Sequence, residues 1–214
     1  MTDDNRPLIL VSNDDGITAP GIQATVDVMK KLGKVVVVAP DSPQSGMGHA
    51  ITINKPLRLV KNNQFGEEVE SYQCSGTPVD CVKLAVDKVM HKQPDLLVSG
   101  ANHGSNSSIN VIYSGTMSAA MEGAISGITS IGFSLLDFSW AADFAATKIY
   151  MEKIAKNVIQ NGLPSDTLLS VNIPNIPLEE IKGVKVCRQA KAKWVEEFDQ
   201  RRDPYGRDYY WLTG

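Results

Sequence analysis

The run Leu8-Ile9-Leu10-Val11-Ser12 is apolar for four residues and then stops abruptly at Asn13-Asp14-Asp15-Gly16. An unbroken apolar run of this length fits a strand buried on both faces, as in the interior of a parallel sheet. Such sheets collect their ligands at the carboxyl ends of the strands, which is where these two carboxylates would stand. Adjacent like charges repel unless water or a cation separates them. A hard divalent cation, which takes oxygen ligands, is the natural third party. The opening of the chain therefore reads as a metal site.

The alternation continues downstream. Gly21–Leu32 carries Ile22, Val26, Met29 and Leu32 at helical spacing, with Gly33 as its expected C-cap and Lys30 and Lys31 at its negative end. Val35–Ala39 is a second apolar strand, so the opening is a strand-helix-strand unit with a parallel, right-handed crossover. Between Ile51 and Cys74 the texture changes. Ile51, Ile53, Leu57 and Leu59 alternate with polar residues, and Asn62-Asn63 and Gly66 supply turns, which predicts an antiparallel excursion. Thr77-Pro78-Val79-Asp80 predicts a helix start with Thr77 as N-cap, followed by an apolar face of Val82, Ala85, Val86 and Val89.

Asp95–Ser99, Ile131–Leu136 and Leu168–Ile173 predict further strands. Ser114-Gly115-Thr116 predicts a helix start, and Ala141–Gln160 a longer helix closed by Asn161-Gly162. After Pro177 the rhythm fades into strand-like pieces and the aromatic tail Tyr209–Leu212. The expected architecture is a single α/β domain over 1–214: a three-layer sandwich with a mostly parallel sheet over about 7–175, a β-hairpin excursion, and a C-terminal extension over about 176–214.

A chain of 214 residues can bury about 70% of its unfolded surface, so it needs no disulfide or zinc staple. A formal charge of −3 gives no electrostatic case for a nucleic-acid duplex or an anionic membrane as partner. Cys74, Cys81 and Cys187 are scattered, which suits a reducing compartment and small core residues. The polar start Met1–Arg6 has no signal-peptide character, and no apolar run approaches the ~20 residues that span a bilayer. The expectation is a soluble, cytoplasmic protein.

Three loops after core strands share a composition: Asn13–Gly16, Asp41–Gly46 with Ser45, and Ser99–Gly104 with Asn102. Each sets oxygen ligands beside glycines, and carboxylate, hydroxyl and carboxamide oxygens suit Mg²⁺, Mn²⁺ or Ca²⁺ rather than zinc. Each loop alone also reads as ordinary turn chemistry; their shared place on one sheet edge favours the metal. Ser114, Gly115 and Thr116 at a helix start supply unpaired backbone N–H groups and the positive dipole end, an anion site. The plainer alternative is that Ser114 or Thr116 merely caps the helix. His91 reads as solvated, and His103 as a hydrogen-bonded loop residue with proton donation as the alternative. Asp41 reads as a turn cap or a ribose-binding acid.

These motifs resemble a known family. Ser12–Ile22, Val38–Asp41 with Ser45-Gly46, Gly76–Val82, Val98–Asn102 and Tyr113–Thr116 resemble the SurE (survival protein E) family, as do Glu122-Gly123, Val171–Pro174 and Asp203–Gly206 with Tyr210-Trp211. The resemblance spans nearly the whole chain in consistent order. It implies a Rossmann-like core, an extension used for oligomerisation into homodimers or homotetramers, and metal-dependent hydrolysis of nucleoside 5′- and 3′-monophosphates by a metal-activated water. It further implies one divalent metal (Mg²⁺ or Mn²⁺, with Ca²⁺ also able to occupy the site) on Asp14, Asp15, Ser45 and Asn102, with Asp14 and Asp15 catalytic. On the substrate side it places Asn13, Asn106, Ser114, Gly115 and Thr116. Ser107-Ser108 and Asn110 stand where the commoner family form has Leu-Gly and Asp, and the chain stops at Gly214 where family members run on through another strand-bearing segment.

Overall fold

The computed structural model describes residues 6–193 and 195–213, so the polar start at positions 1–5 lies outside the described residues. Seven strands form the main sheet: β1 (Leu8–Ser12), β2 (Lys34–Pro40), β3 (Leu59–Asn62), β4 (Glu70–Cys74), β5 (Leu96–His103), β6 (Ser130–Leu136) and β7 (Leu169–Pro174). Their spatial order is β3-β4-β2-β1-β5-β6-β7. Five of the pairings are parallel, with Ile9 level with Val35 on one side of β1 and with Leu96 on the other. The chain leaves β1 towards β2 and later returns to its other flank at β5, so a crevice opens at the carboxyl ends of these two strands.

The apolar runs are continuous because both faces of the sheet are covered. Ile9, Val11, Val35 and Val37 pack with α1 (Pro20–Leu32) and, through Met151, Ala155 and Val158, with a long C-terminal-half helix on one side. Leu8, Leu10, Val36 and Val38 pack on the other side with Cys81 and Val82 of α2 (Pro78–Leu84) and with Met117 and Ala120. Those last two belong to α4 (Gly115–Ile125), which follows the short α3 (Asn110–Tyr113); the long helix is α5 (Ala145–Asn161). Thr77 caps α2, as its sequence predicts, and the structure adds the reciprocal bond from the Thr77 N–H to Asp80 that completes a capping box.

Several boundaries differ from the sequence reading. Ile51–Pro56 forms no strand: the Thr52 N–H donates to Asp80 Oδ1 at 3.1 Å and the Ala50 carbonyl accepts from Thr77 at 2.7 Å. These bonds tie the segment to the start of α2. β3 and β4 do form an antiparallel hairpin, but β4 also pairs in parallel with β2, so half the excursion is built into the main sheet. Beyond Leu84 the second helix widens into a π turn over Ala85–Val89, which leaves Val86 only partly buried. Gly33 is extended rather than left-handed (φ −169°), and a Cβ there would lie 2.2 Å from the Pro7 carbonyl oxygen. α5 starts four residues later than predicted, where the Asp143 side chain accepts from the Ala145 N–H at 2.8 Å. The aromatic tail forms β9 (Asp208–Thr213), which pairs antiparallel with β8 (Glu197–Arg202). No helix among the described residues is long and apolar enough to cross a membrane.

Candidate metal and phosphate site

The loop leaving β1 carries Asp14 inward and Asp15 to the rim. Asp14 is 4% exposed, and its Oδ1 accepts a hydrogen bond from the Thr116 hydroxyl. The Thr116 backbone N–H also supports this carboxylate. Gly115 is packed against it so closely that a Cβ would lie 2.5 Å from Asp14 Cβ. The N-terminus of α4 is thus seated on Asp14, whose negative charge its free N–H groups and dipole favour. Burial nevertheless wins, with the charge on Asp15 adding to it, and Asp14's pKa is pushed up to about 6. Burial raises Asp15 too, partly offset by the His103 N–H at 3.4 Å from its Oδ2. The described partners of both carboxylates are hydroxyl and backbone N–H groups, with no cation among them.

Asn102 reaches the site through a bulge. β5 and β6 run in register to Ser99 opposite Gly132, then slip so that Asn102 lies opposite Ser134. The slip spans the cis peptide Gly100–Ala101, and Gly100 sits at φ +113° with room for no Cβ, which would lie 2.3 Å from the Phe133 oxygen. The Asn102 amide nitrogen donates to the carbonyls of His103 (3.0 Å) and Gly104 (2.9 Å), so the ligand atom left to the amide is its carbonyl oxygen. Ser45 is exposed on the loop after β2, and its neighbour Gln44 donates N–H to the Asp14 carbonyl at 2.7 Å.

Asp14, Asp15, Ser45, Asn102, Asn106 and Ser114 all line one cavity of about 690 Å³. Asn106 is held to the sheet edge: its N–H donates to Asn172 Oδ1 at 2.9 Å and its amide nitrogen to Ser134 Oγ at 2.9 Å. Ser114 is the N-cap of α4, accepting from Met117 N–H at 3.0 Å. Asn13, Gly115 and Thr116 lie behind this lining. Asn13 donates to the Gly16 carbonyl at 2.8 Å while its Oδ1 is buried without a partner. Thr116 is fully buried and serves Asp14.

The remaining candidates divide between the cavity, the core and the surface. His103 lines the cavity, but its ring is not hydrogen-bonded: both nitrogens are buried without partners, and the ring packs 5.4 Å from each of Trp140 and Phe144. The bulge aims it into the aromatic loop after β6. His91 is exposed, as read. Asp41 is exposed, accepts from Ser42 Oγ at 3.0 Å and lies outside the cavity lining, a turn residue. Cys74 and Cys81 are buried, but Cys187 is exposed on the extension. Sequence reading missed Phe138, whose ring lies over Gly104, although an exposed aromatic just past a strand's carboxyl end was a usable signal. It also missed Val195, Glu196, Leu212 and Thr213, which bring the extension to the cavity rim and carry no local signal for it.

The donor set fits a hard divalent cation. Among the described residues no three His, Cys, Asp or Glu side chains cluster as a metal site. A cation at Asp14 and Asp15 would therefore complete its shell with neutral oxygens, which Mg²⁺, Mn²⁺ and Ca²⁺ accept. The two carboxylates, raised by burial and without a cationic partner among the described residues, are what such an ion would relieve.

Sheet order and site together define a doubly wound α/β protein with an acidic, oxygen-lined ligand crevice at the carboxyl edge of its central strands. The family model of Survival protein SurE matches residues 9–196, and the chain belongs to that family. It is 63% identical over 210 residues to the 5'-nucleotidase SurE of Flavobacterium psychrophilum, covering 98% of this chain and 82% of that one. It is 61% identical to the 5'-nucleotidase SurE of Flavobacterium johnsoniae, with 99% and 82% covered. The crystal structure of the SurE protein from Aquifex aeolicus matches with a TM-score of 0.83 at 43% identity, covering 97% of this chain and 82% of that one.

Proposed function

We propose that this protein is a divalent-metal-dependent 5′-nucleotidase that hydrolyses nucleoside 5′-monophosphates, and 3′-monophosphates, to nucleoside and phosphate. The observation that carries this reading is the adjacent pair of buried Asp14 and half-buried Asp15 beside the N-terminus of α4, in a cavity of about 690 Å³. That volume lies in the range of small-molecule sites. The relatives named 5'-nucleotidase SurE support the reaction.

Asp14, Asp15, Ser45 and Asn102 hold the cation, Mg²⁺ or Mn²⁺, with Ca²⁺ also able to fit. When bound, it supplies a water of lowered pKa and polarises the phosphoryl group. Asp14 and Asp15 are the groups placed to take the attacking water's proton. Ser114 accepts from Met117, which leaves its own O–H to donate to a phosphate oxygen, with the Gly115 N–H at the start of α4 beside it. Asn106, fixed by Asn172 and Ser134, turns the rest of its carboxamide to the same ligand. Thr116 and Asn13 act from behind by holding the acidic loop in place.

The reading extends to a single domain over 1–214, a cytoplasmic location, neither nucleic-acid duplex nor membrane as partner, and a homodimer or homotetramer. Exposed Tyr210 and Trp211 on β9 support self-association through the extension. The test is timed phosphate release from nucleoside monophosphates with and without a chelator, for the wild type and Asp14→Asn. Chelation abolishes release, and Asp14→Asn lowers it by at least ~100-fold with the fold retained. Unchanged turnover in that variant overturns the proposal.

A further inference from the structure

We infer that His49 and Glu122 form a latch that holds Ser45 in place for the cation, an inference that rests on reading Ser45 as a metal ligand. Glu122 lies towards the end of α4, away from the cavity lining, and is 4% exposed. Its two oxygens are divided between two elements. Oε1 is 2.6 Å from Lys83 Nζ on α2, and Oε2 is 2.9 Å from His49 Nε2 on the Ser45 loop. A buried carboxylate needs a partner, and Lys83 already supplies the charge. Burial acts to raise Glu122, but Lys83 and His49 together outweigh it and hold the carboxyl below its ordinary range. The contact to His49 therefore adds a tie between a rigid helix and a loop.

The loop needs that tie. Residues 41–58 contain neither helix nor strand, Ser45 is exposed, and Gly46 and Gly48 both sit at positive φ (+73° and +56°). Glycines at such angles leave the unbound loop many alternative conformations. Before Ser45 the chain is pinned by the Gln44 N–H to the Asp14 carbonyl; after it, by the Gly48 N–H to the Tyr113 carbonyl at 3.1 Å, by His49, and beyond His49 by the bonds of Ala50 and Thr52 to the start of α2. Those other ties hold the loop by its backbone, whereas His49 reaches out to α4 with its own side chain. Its partner belongs to the helix whose first turn grips Asp14 through Thr116. One helix thus sets two ligand-bearing loops: Thr116 fixes the acidic loop, and Glu122 fixes the serine loop through His49. Partners of this kind hold a ligand set in the geometry its ion needs. His49 and Glu122 act as positioning residues, since neither lines the cavity.

The experiment measures Mn²⁺ binding by calorimetry on the full chain, together with the Mn²⁺ dependence of phosphate release. It compares the wild type, His49→Ala, His49→Gln and Ser45→Ala. The His49 side chain is 33% exposed, so its variants are expected to fold, and thermal unfolding of the metal-free proteins checks this. His49→Ala weakens Mn²⁺ binding about tenfold and raises the Mn²⁺ needed for half-maximal activity in parallel, with the loss falling on metal requirement more than on kcat. His49→Gln, whose amide nitrogen reaches about as far as the imidazole Nε2, recovers most of the affinity. Equal Mn²⁺ affinity in His49→Ala and wild type overturns the latch, as does an equal loss in His49→Ala and His49→Gln. A wild type that binds no Mn²⁺ overturns the metal reading itself, and unaltered binding in Ser45→Ala overturns Ser45 as ligand; either result takes the latch with it.

Discussion

The hydroxyl of Thr116 donates to Asp14 Oδ1, joining the first turn of α4 to the end of β1 across 102 residues of chain. The contact makes the helix N-terminus part of the acidic loop before any ligand arrives. Helix N–H groups and the dipole lower the cost of a carboxylate there, yet burial and Asp15 outweigh them. A corner that resists two negative charges but is built of oxygen donors gains most when a cation enters.

Thr116→Val replaces the donor by a methyl group of similar volume and leaves Asp14 without its side-chain partner. A hydrogen bond to a charged group contributes about 1.5–3 kcal/mol, so Mn²⁺ affinity and turnover are expected to fall by roughly 10–100-fold. Thr116→Ser keeps the hydroxyl and retains most of both. Calorimetric Mn²⁺ titration decides it, and a valine variant that binds like wild type removes Thr116 from the site.

Asp14 also sets a pH dependence of the metal-free protein. Its folded pKa of about 6 lies above the ordinary 3.8, so between those values the folded state holds more protons than the unfolded one. Stability therefore falls as pH rises from about 4 to about 6 and levels off above. At about 1.4 kcal/mol per pKa unit, the full displacement corresponds to about 3 kcal/mol. Asp14→Asn removes this slope and makes the metal-free protein more stable than wild type at pH 8. Urea unfolding of both proteins across pH 4–8, in chelator, measures it; parallel curves would falsify the assignment.

How much of this was legible in the sequence follows from where each signal resides. The core strands were legible because burial on both faces makes an unbroken apolar run, as at Leu8–Val11 and Val35–Ala39. Asp14, Asp15, Ser45, Asn102, Asn106 and Ser114 were all named and all line the cavity. The role of Thr116 was not legible, since a hydroxyl at a helix start reads equally as cap, phosphate donor or carboxylate partner. Only the approach of α4 to β1 distinguishes them. Ile51–Pro56 misled for a related reason: its alternation is real, but Thr77 and Asp80 claim its backbone from a distance. The slip in β5 left only Gly100 as its trace, and the rim residues Val195 and Leu212 left none.

Gly115→Ala tests the seating of the helix sterically. The added Cβ would lie 2.5 Å from Asp14 Cβ and 2.9 Å from its Oδ2, in a fully packed corner. Either α4 or the acidic loop must shift, at about 1–3 kcal/mol for an overpacked site. Activity is expected to fall more steeply than stability, because the displaced group is the ligand itself. Melting temperature and phosphate release measured on one preparation separate the two effects. Full activity in a stably folded alanine variant would show that Asp14 has room the geometry denies it.

Gly21→Ala probes the bulge from the far side. Its Cβ would fall 1.9 Å from the Ala101 carbonyl oxygen, a backbone atom that cannot swing aside. α1 must back away from β5 at the point where the slip delivers Asn102. The expected loss is about 3 kcal/mol, a fall in melting temperature of about 6–12 °C for a chain of this size, with weakened Mn²⁺ binding. Gly46→Ala is the contrasting case: no atom lies within 4 Å of its Cβ, but its φ of +73° makes any side chain strained. That strain amounts to about 1 kcal/mol, so the variant should melt only slightly below wild type while the Ser45 loop is perturbed. If the two variants melt together, close packing of α1 on the bulge is not what holds Asn102 at the site.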